Sequence, residues 1–146
     1  MPQSTIDWEE VLVSNFFDEK VRERSLFELR SKKKRRNFFN KIALIPNYMT
    51  EIPKFHPDEE VSALIKILEK YGAKRSCYAI SSSNRNDRRI LSIKEGIDMI
   101  YNNYALTDFL IFTENLAVFQ CESGGYRPSR FILYRGTTKN EKVVSP

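Results

Sequence analysis

The residues best able to do chemistry lie in one block, Lys32-Lys33-Lys34-Arg35-Arg36, with Phe38 and Phe39 just beyond it. Adjacent cations beside aromatic rings can clamp phosphates and stack bases, so the block is a candidate nucleic-acid contact. The same letters match the short basic pattern of a nuclear import signal. A run of cations at a helix end is also favoured by the negative pole of the dipole, and then needs no ligand. A compact positive patch fits an acidic protein partner as well, by steering its approach. Charge alone does not choose among these readings. A second, smaller cluster holds Lys74, Arg75, Arg85, Arg88 and Arg89 against Asp87. The candidate binding residues are therefore Lys32, Lys33, Lys34, Arg35, Arg36, Arg85, Arg88 and Arg89. Nucleic-acid binding requires the two clusters to converge on one face, whereas a protein contact tolerates one patch with apolar neighbours.

The residue types of catalysis are sparse. Cys77 and Cys121 are too few for a disulfide framework or a tetrahedral zinc site. Each falls in an apolar run that reads as a strand, and free cysteine packs as a small hydrophobe, so both are read as buried, inert thiols. A reactive thiol wants a base beside it. The single histidine, His56, sits between Phe55 and Pro57 with no spacing that ties it to either cysteine. It reads as a helix-entry residue. Glu114 and Glu122 flank one strand and read as ordinary strand-end polarity. The segment Ser81-Ser82-Ser83-Asn84-Arg85-Asn86-Asp87-Arg88-Arg89 follows a strand, where ligands often sit in α/β proteins. It lacks the glycines that let a backbone wrap phosphate, and reads as a turn rich in hydrogen-bonding side chains. No constellation supports an enzyme, a cofactor or a metal site.

The net charge of +5 is unevenly spread. Between Lys20 and Lys41, ten basic residues stand against Glu23 and Glu28, a local charge of +8. The other 14 basic and 17 acidic residues leave the remainder at −3, so basicity is a local feature. With 146 residues, 41% hydrophobic and 12% aromatic, the chain fits one domain with a filled core and excludes a wholly disordered protein. No stretch of about 18 apolar residues offers a membrane span, and the N-terminus lacks the basic-then-apolar pattern of a secretory leader. The expectation is a cytoplasmic protein with reduced thiols and no membrane partner.

The elements that must position these residues follow from periodicity and caps. Asp7 and Glu10 have the spacing of a capping box before Trp8, Val11, Leu12 and Phe16, which share a helical face. A second helix is predicted from about Phe17 to Arg36, with Ser25 and Glu28 as an alternative fresh start within it. Ile42-Ala43-Leu44-Ile45 reads as a short strand or buried extended piece, and Pro46, Pro53 and Pro57 punctuate a loop. Pro57, Asp58, Glu59 and Glu60 then open a helix that Gly72 closes, with Val61, Leu64, Ile65 and Leu68 on its apolar face. Cys77 to Ile80 is a strand, and Ser92 and Glu95 box the start of a helix carrying Ile93, Ile97, Ile100 and Tyr101. Phe109 to Phe112 is continuously apolar, the mark of a central strand covered on both faces. Glu114-Asn115 turns into Leu116 to Cys121, and Ser123, Gly124 and Gly125 turn towards Phe131 to Tyr134. The predicted fold is α+β in a single domain over residues 1–146. N-terminal helices and two further helices pack on one face of a mainly antiparallel sheet that ends in a C-terminal meander, over one core. Residues from about 137 form a polar tail.

From Cys77 to Arg135 the order of features resembles a known group. It runs Cys77-Tyr78-Ala79-Ile80-Ser81, Asp87, Leu91-Ser92-Ile93, Leu110-Ile111-Phe112, Leu116-Ala117-Val118-Phe119, Glu122 and Arg130-Phe131-Ile132-Leu133-Tyr134-Arg135. These segments resemble small uncharacterised bacterial proteins of the toxin-immunity type. The resemblance implies a binding role and carries over no site residue. The expected function is therefore a non-catalytic protein that binds another protein, an acidic one or a toxin it neutralises. The alternative is a nucleic-acid-binding protein using residues 32–36.

Overall fold

Asp7 opens the first helix as its spacing predicts, its carboxylate accepting from the Glu10 N–H at 3.2 Å. The structure, a computed structural model, describes residues 6–44, 61–102, 107–121 and 129–135. Within them the order is α1 (Trp8–Phe16), a short 3-10 turn (Glu19–Val21), α2 (Arg22–Arg30), α3 (Arg35–Leu44) and α4 (Val61–Lys70). Then come β1 (Ser76–Ser81), β2 (Arg89–Ser92), α5 (Ile93–Asn102), β3 (Asp108–Thr113), β4 (Leu116–Cys121) and β5 (Ser129–Tyr134). His56, the three prolines of the loop, Ile45, the acidic opening at residues 58–60, the glycine turn, Glu122 and the tail from 137 lie outside the described residues.

All neighbouring strands are antiparallel, in the order β2-β1-β3-β4-β5, so the fold class is α+β with β3 central as its apolar run predicts. The expectation of helices on one face over one core is corrected. Side chains alternate across a strand, and here both sets are apolar. Phe109 and Ile111 of β3 point into one cluster with Leu12, Phe16, Phe17, Leu29 and Phe38 from α1, α2, α3 and the turn after α1. Leu110 and Phe112 point into a second cluster with Leu64 and Leu68 of α4 and Ile97 and Ile100 of α5. A sheet with two apolar faces has to be roofed twice, and the fold is three-layered. Each fully buried Leu, Ile or Phe contributes about 1.5–3 kcal/mol of transfer free energy.

Local chemistry sets the ends of the elements. Ser92 and Glu95 form the predicted capping box: the Glu95 N–H donates to Ser92 Oγ at 3.1 Å and the Ser92 N–H to Glu95 Oε1 at 3.0 Å. Gly72, at φ +114, ends α4, and the Ala73 N–H closes back onto the Leu68 carbonyl at 3.0 Å. α5 lies close to β1 because Gly96 has no side chain. A Cβ there would stand 2.7 Å from Cys77 Sγ.

Two helical readings are corrected. The single helix from Phe17 to Arg36 is broken at Ser31, which accepts the Lys34 N–H on its Oγ at 3.2 Å and the Arg35 N–H on its carbonyl at 3.0 Å. Lys32 to Lys34 are the turn between α2 and α3, not a helical face. Ile42 to Leu44 belong to the end of α3 rather than to a strand.

Candidate functional site

The basic block divides by environment. Arg35 is the exception among its neighbours: its side chain is 11% exposed and bound on three sides. Its Nε and Nη2 donate to the two oxygens of Asp87, each at 2.8 Å, and its Nη1 donates to Glu9 Oε2 at 2.8 Å. Nη1 also donates to the Leu29 carbonyl, and the guanidinium lies over the Phe39 ring, 5.7 Å from its centroid. A planar five-donor fork suits this role, and a lysine could not reproduce it. The reading of all five cations as a solvated or ligand-facing surface is therefore corrected at Arg35. Lys32, Lys33, Lys34 and Arg36 are exposed, and their side chains have no ion-pair partner among the described residues. The helix-dipole account also fails for part of the block, because Arg36 lies in the first turn of α3, at its positive end.

The second cluster divides too. The β1–β2 loop is closed by its own polar groups, as its composition predicts: Ser81 Oγ accepts the Ser83 N–H at 3.0 Å and Asp87 Oδ1 the Ser81 N–H at 2.9 Å. Arg88 adopts a left-handed backbone, φ 62, and its Nε donates to the Glu9 oxygen that Arg35 also uses, at 3.2 Å. Strand alternation sends Arg89 the other way. With Arg85 it lines a separate depression of about 330 Å³ beside Glu95 and Met99 of α5. The second cluster is tied to the first by Asp87, directly on Arg35, and among its cations in the described residues by Arg88, through Glu9.

Where α3 meets the loop, Lys32, Arg36, Asn40, Ser82 and Asn84 surround a cleft of about 470 Å³. Phe38 and Phe39, the aromatics that would stack bases, are both buried, stacked or edge-on within the first core. Among the described residues, the large apolar side chains left exposed are Ile6, Phe27, at 61%, and Ile90, at 71%. Phe27 stands one turn from Arg24 and Arg30 on α2, and Ile90 follows Arg88 and Arg89 at the sheet edge, opposite Tyr78.

A buried polar chain lies at the end of the second core. Ser81 Oγ donates to Asp108 Oδ1 at 2.5 Å, and Gln120 Nε2 donates to the Ile100 carbonyl at 2.9 Å. Gln120 Oε1 accepts from Arg130 Nε at 2.7 Å, and that guanidinium lies 4.3 Å from the centroid of the Tyr101 ring. Burial pushes the Asp108 carboxyl up to about 6, against the hydrogen bonds from Ser81 and Gln120, which pull it down. Neither this chain nor the Arg35 network was singled out from sequence. Gln120 and Arg130 carried a signal: they are polar residues in phase with the inward-facing Val118 and Ile132. Glu9 carried none, since nothing local separates it from exposed Glu10.

Both thiols are buried, and desolvation raises Cys77 to about 12 and Cys121 to about 11, so neither supplies a thiolate at neutral pH. Among the described residues no three His, Cys, Asp or Glu side chains gather in a way that could hold a metal ion. Also among them, no helix is long and apolar enough to cross a membrane. Comparison with protein-family models, curated proteins and solved structures finds no match to this chain.

Proposed function

We propose that this is a non-catalytic protein that binds another protein through the surface carrying Lys32, Lys33, Lys34 and Arg36 together with Phe27 and Ile90. The observation that carries the reading is the sorting of the aromatic and apolar groups. Phe38 and Phe39 are spent on the core, while Phe27 and Ile90 stand in solvent beside arginines. Interface centres favour this mixture of aromatic, apolar and arginine side chains. The free cations Lys32, Lys33, Lys34 and Arg36 favour a partner that is acidic at the rim. Neutralisation of a toxin, the relation implied by the resemblance to immunity-type proteins, is one such partnership.

Phosphate-only contact with nucleic acid is the second reading, favoured by the cleft that joins Lys32 and Arg36 to the β1–β2 loop. It is weakened by the separation of Arg85 and Arg89 from that cleft. The test pairs two variants, Phe27→Ser/Ile90→Ser and Lys32→Gln/Lys33→Gln/Arg36→Gln, in affinity purification from the native cell. One protein retained by the wild type and lost from both variants is the expected result. Titration with single-stranded and duplex DNA and RNA at about 50 and about 200 mM salt supplies the contrary outcome. Binding that falls steeply with salt and ignores Phe27→Ser/Ile90→Ser overturns the protein reading.

A further inference from the structure

The cleft between α3 and the β1–β2 loop has a chemistry of its own. Lys32, Arg36 and Asn40 are spaced by four residues and form one wall, while Ser82 and Asn84 come from the loop opposite. Asp87 also borders the cleft, yet it does not set the sign of the charge there. One of its oxygens accepts from Arg35 and the Ser81 N–H, and the other from Arg35. Arg35 in turn is consumed by Asp87 and Glu9. What remains for a ligand is two unpaired cations, two carboxamides and one hydroxyl. Ser82 Oγ already accepts the Thr107 N–H at 3.0 Å, which leaves its proton free to donate.

We propose that this cleft binds a phosphomonoester, with Lys32 and Arg36 meeting its charge and Asn40, Ser82 and Asn84 donating to its oxygens. A phosphomonoester carries between one and a half and two negative charges at neutral pH and three strong acceptor oxygens. That matches two free cations and donors arriving from two walls better than a single-charged planar carboxylate does. A volume of about 470 Å³ lies in the range of small-ligand sites and accommodates a mononucleotide. The phosphate can arrive on a small molecule or on a phosphorylated side chain of a protein. This inference goes beyond the protein-contact reading, because Phe27 and Ile90 do not line the cleft and either idea can fail alone.

Calorimetric titration of the full chain with adenosine 5′-monophosphate, with adenosine, and with a pentapeptide Gly-Gly-Ser-Gly-Gly in phosphorylated and plain forms tests the site and separates the two sources. Saturable binding of a phosphorylated probe at a Kd near or below about 1 mM, with its unphosphorylated counterpart inert, is the expected result. Losing charge-assisted bonds in Lys32→Gln/Arg36→Gln should weaken it at least about tenfold, and Asn84→Asp should do the same by repulsion. Lys33→Gln/Lys34→Gln removes equal charge from outside the lining and should change affinity less than about threefold. Absence of saturation with both phosphorylated probes overturns the site. So does equal sensitivity to Lys33→Gln/Lys34→Gln, which would mean a diffuse positive field in place of a pocket.

Discussion

Replacing Arg35 with glutamine removes one guanidinium and strands two carboxylates. Glu9, Arg35 and Asp87 have side chains 10%, 11% and 12% exposed, so little water can take over the lost contacts. After the change Asp87 keeps the Ser81 N–H and Glu9 keeps Arg88, but each loses its principal counter-charge. Breaking a buried ion pair from one side costs about 3–5 kcal/mol. The surviving donors and the residual exposure put Arg35→Gln at the lower end, about 3 kcal/mol. For a chain of this size that lowers Tm by about 6–12 °C. Lys33→Gln, two positions away in solvent, should stay within about 0.5 kcal/mol. Urea unfolding followed by far-ultraviolet circular dichroism measures both, with an unchanged slope showing that the unfolded reference has not moved. The pair Arg35→Gln/Asp87→Asn should cost at least about 1 kcal/mol less than the sum of its single changes, since both act on one network. A loss under about 1 kcal/mol for Arg35→Gln, or strict additivity with Asp87→Asn, would refute the assignment of Arg35 as the ionic tie between the helical layer and the hairpin.

Asp108 titrates at about 6 in the fold, against 3.8 for an ordinary Asp, so below about pH 4 it is neutral in both states and its burial is uncharged. That contribution is lost as pH rises through about 6, and a shift of this size amounts to about 3 kcal/mol. The stability of Asp108→Asn relative to wild type should therefore rise by about that much between pH 4 and pH 7; parallel denaturation profiles would show that the carboxyl is not held neutral. Gly96→Ala should destabilise by about 1–2 kcal/mol, because the clash with Cys77 Sγ outweighs the better helix propensity of alanine. Cys77→Ala in the same chain should recover most of that loss, and no recovery would place the strain elsewhere. Cys77 and Cys121 should react with a neutral-pH thiol reagent at least about a hundredfold faster after denaturation than before, as burial withholds the thiolate. Rapid labelling of either native thiol contradicts that and reopens a reactive role.

Much of the fold is written in local chemistry that a sequence displays. The Asp7 cap, the Ser92–Glu95 box, Gly72 after Lys70 and the unbroken apolar run of β3 each dictate one feature through adjacent residues. What escaped reading depends on residues far apart. Both sides of Cys77–Ile80 and Leu116–Cys121 were apolar, yet the second roof became visible only when α1 to α3 and α4 to α5 were placed on opposite faces. Ser31 is a good capping residue, but without an acidic residue three positions on it gave no box to recognise. Arg35 and Arg36 are the same letter in the same run. Their opposite fates are decided by Asp87, 52 residues later in the chain.

The division of the two roofs along the chain bears on how the protein is made. The helices over the first core end at Leu44, while the strands that complete that core continue to Tyr134, about 90 residues later. On a ribosome adding about 5–20 residues per second, Leu12, Phe16, Phe17, Leu29 and Phe38 wait about 5–20 seconds without the sheet they will cover. The second roof is interleaved with β1 and β2, and its wait is shorter: α4 ends 64 and α5 32 residues before Tyr134. Vectorial synthesis thus leaves the N-terminal layer as a sticky amphipathic nascent segment, a natural client for a chaperone that captures short apolar helices. The dense cationic stretch on that layer would also keep neighbouring nascent copies apart by mutual repulsion until β3 to β5 arrive.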